Sequence, residues 1–325
     1  MPNLFIIGNG FDLAHNMKTR FNHFRDYLDS NYSEGHGDCL YVPESVIGHH
    51  GEDLQCEEEV VDLIKYLLNE VAPDDDDDLQ KRDWSEMEDL LGKLNLPECF
   101  DNVEPQYDRE GDRNYFWEYD SAESICRNMA LAIPRITEFL SEWIHTIEIP
   151  NSPLKNFTEM IDPQRDLFFT FNYTQTLEKL YGCLKENVCH IHGMASDDTY
   201  VQTEQLILGH CGQKGYSEGG DVPYDMGDGL QAIYESLRKN TAEQISLHED
   251  FFEKIRDSAI CGIYSFGFAF AEVDMPYMKK ICDSINTQNI IWWLDNHSGI
   301  ERRKEYQKKL RNCGFQGDFR TFTMA

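Results

Sequence analysis

Apolar positions recur along this chain at two different spacings. Leu4-Phe5-Ile6-Ile7 is a continuous apolar run of β type, and Gly8-Asn9-Gly10 breaks it at once. Phe11 to Tyr32 then carries Phe21, Phe24, Tyr27 and Leu28 at helical spacing, so the opening reads as strand, glycine turn and helix. From about 34 to 155 the spacing stays helical. One stripe is Val60, Val61, Ile64, Leu67, Leu68 and Val71, and a second is Trp84, Met87, Leu90, Leu91 and Leu94. A third runs from Ile125 through Met129, Ile133, Ile136, Leu140 and Trp143 to Ile147, with Pro134 expected to kink it. After 160, short β-type runs return at 167–171, 188–191, 206–208, 259–266, 290–294 and 319–322. They alternate with helical patterns near 175–185, 230–238, 248–256, 271–285 and 300–312. Such alternation predicts an α/β fold, a mostly parallel Rossmann-like sheet with helices on its faces. Residues 1–33 and 156–325 form the expected core, and 34–155 a large, mostly helical, acidic insertion.

Composition narrows the function classes. Hydrophobic residues make up 41% of the 325, enough for a sizeable core, yet no apolar run nears the ~20 residues that span a bilayer. The opening residues have neither the basic flank nor the cleavage site of a signal peptide, so a soluble, cytoplasmic chain is expected. The ten cysteines contain no Cys-x-x-Cys pair, which reads as free thiols rather than a zinc ribbon. The net charge of −30 argues against broad nucleic-acid binding, which needs cations facing phosphates. The acidic runs Glu57–Glu59 and Asp74–Asp78 lack the spaced ligands of a calcium loop and read as solvated helix ends or loops.

Parallel sheets place ligands beyond the carboxyl ends of their strands, so the residues just past each strand are the ones to inspect. Gly8-Asn9-Gly10-Phe11-Asp12 follows the first, Asn172-Tyr173-Thr174 the second, His192-Gly193 the third and Gly209-His210 the fourth, while Gly267 ends the fifth. Two glycines at a helix start either admit a phosphate to backbone amides or simply make a tight turn. Asp12 either caps the helix or meets a ribose. Asn172 is either a turn residue or an amide that holds a sugar hydroxyl or a water. His190 and His192, two apart, point the same way on an extended strand. With His210 they raise the question of a metal, but no carboxylate or cysteine stands at a telling spacing, and no metal is expected. His192, beside Gly193 at a strand end, reads better as an acid/base group. His15, early in the first helix, faces either the same cleft or solvent.

The segments IIGNGFDLAHNMKTRFNHF, RDWSEMED, FFTFNYTQTLEKLYG, HIHG, LILGH and GFAFAEVDMPYMKKI occur here in the order that they have in the AbiH family of bacteriophage abortive infection proteins. The chain resembles that family over nearly its whole length, and the helical insertion at its Trp84-x-x-x-Glu88 piece. AbiH proteins in turn resemble a distant sirtuin-like group, in which a glycine turn binds a dinucleotide, an asparagine lies by the nicotinamide ribose and a histidine is the base. The resemblance implies those roles for Gly8 and Gly10, for Asn172 and for His192. The chain departs from the pattern in three places. Thr174 stands near an expected acidic residue, Gly267-Phe268-Ala269 stands where AbiH-like proteins often read Gly-His-Ser, and the four-cysteine zinc module of sirtuin deacylases is missing.

The resulting expectation is an antiphage effector that hydrolyses NAD or a related nucleotide at the nicotinamide–ribose bond. Asn172 and His192 are its catalytic residues. Gly8, Asn9, Gly10, Phe11 and Asp12 hold the diphosphate, with Gly193, Gly267 and Asp274 completing the nucleotide site. The alternatives are a nucleotide-sensing module acting through a protein partner and, less favoured by the charge, a metal-dependent nuclease. A phage or host protein as trigger and a homo-oligomeric state are compatible with either of the first two readings.

Overall fold

The computed structural model describes residues 1–32, 40–71, 84–101, 103–195, 206–213, 215–216 and 223–324. The acidic run Asp74–Asp78 lies outside them. Eight strands occur among these residues: β1 (Leu4–Ile7), β2 (Ser45–Ile47), β3 (Asp53–Gln55), β4 (Leu167–Thr170), β5 (Val188–His190), β6 (Gly262–Phe266), β7 (Ile291–Asp295) and β8 (Asp318–Phe322). Six of them form one sheet in the order β5-β4-β1-β6-β7-β8, with every neighbouring pair parallel. Renumbered within the sheet this is 3-2-1-4-5-6, the order of the doubly wound Rossmann fold, and its switch point lies beside β1. The expected α/β class and parallel sheet are therefore present.

The side-chain pattern explains why β1 takes the centre. All four of its residues are buried, as a strand covered on both faces requires. Leu4 and Ile6 point to one face, with Leu167, Phe169, Ile263 and Trp292, under the helices Glu249–Asp257, Met275–Ser284 and Ile300–Asn312. Phe5 and Ile7 point to the other, with Phe168, Phe266, Leu177 and Phe157. A third apolar cluster lies apart from the sheet. It joins Phe21, Phe24 and Leu28 to Val60, Ile64, Leu68, Leu91, Met129, Phe139 and Trp143, and also to Leu230, Ile233 and Tyr234 from much later in the chain. The first-turn glutamates Glu57, Glu58 and Glu59 suit the positive end of their helix.

Local structure departs from the sequence reading at two points and bears it out at a third. The helix expected over 11–32 is two, Gly10–Ala14 and Phe21–Asn31, because Asn16 takes a left-handed conformation that ends the first. Pro134 breaks the third stripe as expected, with a 3₁₀ turn at Ile133–Arg135 between Tyr115–Ala132 and Ile136–His145. The segment 206–208 is not a sheet strand. Leu206 packs into the helical cluster instead, and the residues after it pair with 237–239: His210 N donates to Leu237 O, and Lys239 N to His210 O. Gly209 permits this approach, since a methyl there would stand 2.4 Å from the Leu237 carbonyl oxygen.

Candidate functional site

A cleft of about 730 Å³, solvent at its mouth included, opens where the segments after β1, β4 and β6 meet the helical cluster. Gly8, Asn9, Asp12, Asn172, His192, Gly267 and Asp274 line it. Of the residues expected at the site, Gly10, Phe11 and Gly193 do not. The cluster supplies the opposite wall, with Trp84 and Trp143 at 5.9 Å between ring centroids, and Glu88.

The glycine turn is tight for a reason internal to the fold. A methyl on Gly8 would lie 2.5 Å from the Gly267 carbonyl oxygen, and one on Gly10 would lie 2.5 Å from Gly267 Cα. The two turns thus touch backbone to backbone, and Gly267 itself has φ +63°. Three amides are occupied within them: Gly8 N donates to Phe266 O, Gly10 N to Gly267 O and Phe11 N to Gly8 O. Phe11 is buried among Phe157, Phe266 and Tyr181. His15 is buried too, bonded to Phe11 O and Tyr181 Oη. Gly193 turns the chain after Ile191 at φ +83°.

Asp12 neither caps a helix nor opens freely to the cleft. It accepts hydrogen bonds from Thr174 Oγ1 at 2.6 Å and Thr176 Oγ1 at 2.9 Å. Burial outweighs these bonds and raises its carboxyl to about 6. Thr174, standing where an acidic residue was expected, thereby binds one from another strand end. This contact fixes the turn that carries Asn172. Asn172 is 6% exposed; its amide lies close enough to Asp12 to help hold that carboxyl down, but neither its nitrogen nor its oxygen reaches hydrogen-bond geometry with a described residue.

His190 and His192 do not share a face, contrary to the strand argument, because β5 ends at His190 and the chain turns there. His190 bonds to Asn172 O and Glu178. His192 packs against Phe171 and Tyr277. His210 lies elsewhere, buried against Tyr234. His192 Nε2 stands 3.5 Å from Asp274 Oδ1, without hydrogen-bond geometry. Burial, then the nearby Lys239, lowers its imidazole to about 4, so it is neutral at pH 7. Phe268, in place of the His of the Gly-His-Ser pattern, stacks on Phe171 at 4.3 Å.

Beyond Asp274 lies an ionic group that the sequence reading did not include. Lys239 Nζ is fully buried, 2.7 Å from Glu88 Oε1 and 3.3 Å from Asp274 Oδ1. Burial pulls the ammonium down, yet Asp274 and Glu88 together hold it above its ordinary value. Burial pushes Asp274 up, but Lys239 and His192 overcome it and hold its carboxyl low. Burial raises Glu88 to about 7, although Glu88 is the nearer of the two to the ammonium. Two carboxylates around one cation share their titration, so the proton belongs to the group rather than to either residue. Among the described residues lining the cleft there is no lysine or arginine. Three carboxyl groups facing it suit a bound portion that is neutral or that becomes positive during reaction.

The model of the family described as Bacteriophage abortive infection AbiH matches residues 4–295. This chain belongs to the AbiH family. It is accordingly a phage abortive infection defence protein. No curated protein and no solved structure matches the chain. The AbiH match runs from β1 to the last residue of β7, and so takes in every segment that lines the cleft. Glu88 of this AbiH protein had a signal in the Trp84-x-x-x-Glu88 piece of the resemblance. Lys239 had none, being one lysine in a polar stretch. Among the described residues no helix is long and apolar enough to cross a membrane.

Proposed function

We propose that this AbiH protein hydrolyses the N-glycosidic bond of a nucleotide, NAD or a relative of it, in the cleft beside β1. The observation that carries the reading is Asn172, a buried amide facing the cleft with both polar atoms unpartnered. Such a group costs the fold about 1–3 kcal/mol unless a ligand satisfies it. A ribose, whose hydroxyls donate and accept at adjacent carbons, matches an amide in both directions. Loss of the base leaves positive charge on the sugar, which the cleft carboxylates Asp274 and Glu88 would stabilise. Trp84 and Trp143 offer an aromatic wall to a planar base. The amides of Gly8, Gly10 and Phe11 are already bonded, so the phosphates would not be held by them. The sirtuin-like resemblance supports NAD as the ligand class and His192 as a residue at the reacting centre.

The test is to incubate purified protein with nucleotides, with and without divalent metal, and to separate products by chromatography. Release of free base and ribosyl product, lost in Asn172→Ala, is the expected result. Binding without turnover would favour a sensing module. The exposed Tyr107, Tyr115, Phe116 and Trp117 of the helical region give that second reading a surface for a phage or host protein. Neither binding nor turnover of any nucleotide would overturn both.

A further inference from the structure

The arrangement Glu88–Lys239–Asp274–His192 crosses the cleft from the helix Trp84–Leu91 to the sheet, and each member is buried. Three of the four, Glu88, Asp274 and His192, line the cleft. Lys239 stands behind them and touches both carboxylates. Its place is set by the backbone pairing of His210 with Leu237 and Lys239, and hence by the close approach that Gly209 permits.

We propose that Glu88 is a catalytic carboxylate of this site, taking the proton of the attacking water, with Lys239 as the residue that positions it against Asp274. The assignment rests on the hydrolysis reading above and moves the base from His192 to the helical region. In the step, the water oxygen bonds to the ribosyl carbon as the carbon–nitrogen bond breaks with its electron pair going to the base. Glu88 accepts the proton released from the water and later returns it to solvent. A pyridinium base leaves neutral and needs no proton, so the balance is closed by substrate, water and this one carboxylate.

Electrostatics agrees with the geometry. A base works best when it titrates near the operating pH. His192 is held far below that range, whereas burial raises Glu88, beside Lys239, to about 7. The charged and titratable groups facing Glu88 are Lys239, Asp274, Tyr173 and Tyr277. His192 lies beyond Asp274, and Asp12 lies across the cleft. Both tyrosines are held far above their ordinary values by burial and stay neutral, and Asp274 is held low, which leaves Glu88 as the group raised toward neutrality.

The experiment is a pH–rate profile of nucleotide hydrolysis by the full chain and three variants. Wild-type turnover should rise through a limb centred near pH 7. Glu88→Gln keeps the shape and an acceptor for Lys239. It should lower kcat at least ~100-fold, leave KM within threefold and flatten the limb. Glu88→Asp should lower turnover less and retain the limb, which guards against a folding artefact. His192→Gln should lower the profile without removing the limb. The proposal is overturned if Glu88→Gln retains the limb with kcat within tenfold, or if His192→Gln is the variant that removes it. A wild type that hydrolyses no nucleotide would overturn the hydrolysis reading and this assignment together. An active wild type with an unaffected Glu88→Gln would overturn this assignment alone.

Discussion

Removing the side chain of Asn172 takes a buried amide without partners out of the fold, so Asn172→Ala should melt at or above the wild-type temperature. The same change should lower nucleotide turnover at least ~100-fold, the scale expected when a positioned reacting group is lost. A melting temperature several degrees lower would show that the amide serves the fold and not a ligand. Asp12 behaves in the opposite way. Its folded value of about 6 lies above the ordinary 3.8, so the folded state binds the proton more tightly. The associated stability is complete below about pH 4 and is lost as pH rises through 6, a change of roughly 3 kcal/mol. Asp12→Asn cannot titrate. Urea denaturation at pH 4 and pH 7 should show wild type losing stability relative to this variant by about that amount.

Among the elements, the turns after β1 and β6 form one unit, since Gly8 and Gly10 touch the Gly267 backbone. Gly10→Ala should therefore cost about 1–3 kcal/mol, the scale of inserting a methyl into a packed interior, and be read as a lower denaturation midpoint. The turn was legible as Gly-x-Gly after an apolar run, but its purpose was not. A glycine needed for phosphate access and one needed for backbone contact look alike until the opposing turn is placed. The sheet strands were legible because buried parallel strands are nearly continuous apolar runs. The run at 206–208 has the same composition, but its Leu206 packs among helices. Composition reports burial and not the surface that provides it. Asn172 and His192 were legible as polar residues closing apolar runs. Their common cleft was legible only through the assumption that β4 and β5 lie side by side, and they do.

Across the whole molecule, Lys239 links the helical region to the sheet through Glu88 and Asp274. Lys239→Met would leave two buried carboxylates without their cation. A loss on the order of 3–5 kcal/mol is expected at pH 8, shrinking toward pH 5 as the carboxyls protonate; denaturant titrations at the two pH values measure both. A loss independent of pH would mean that packing of the lysine stem, and not its charge, is what matters. This linkage was invisible in the sequence because its members are distant from one another and each is unremarkable locally. The net charge of −30 gave the sign of the surface but no hint that the cation Lys239 is buried. By contrast the Trp84-x-x-x-Glu88 spacing puts tryptophan and glutamate on one helical face, and both do reach the cleft.

The central position of β1 also governs the order of events during synthesis. Leu4 pairs with Leu167 on one side and with Ile263 on the other. At ~5–20 residues per second, a nascent β1 waits roughly ten to thirty seconds for its first neighbour and longer for its second. During that interval four consecutive apolar residues have both edges unpaired, a template for association with other chains. The helical cluster cannot close early either, since it needs Leu230 and Tyr234. The nascent AbiH chain should therefore engage holding chaperones until β6 has emerged, and β1 should acquire hydrogen-exchange protection only after that point.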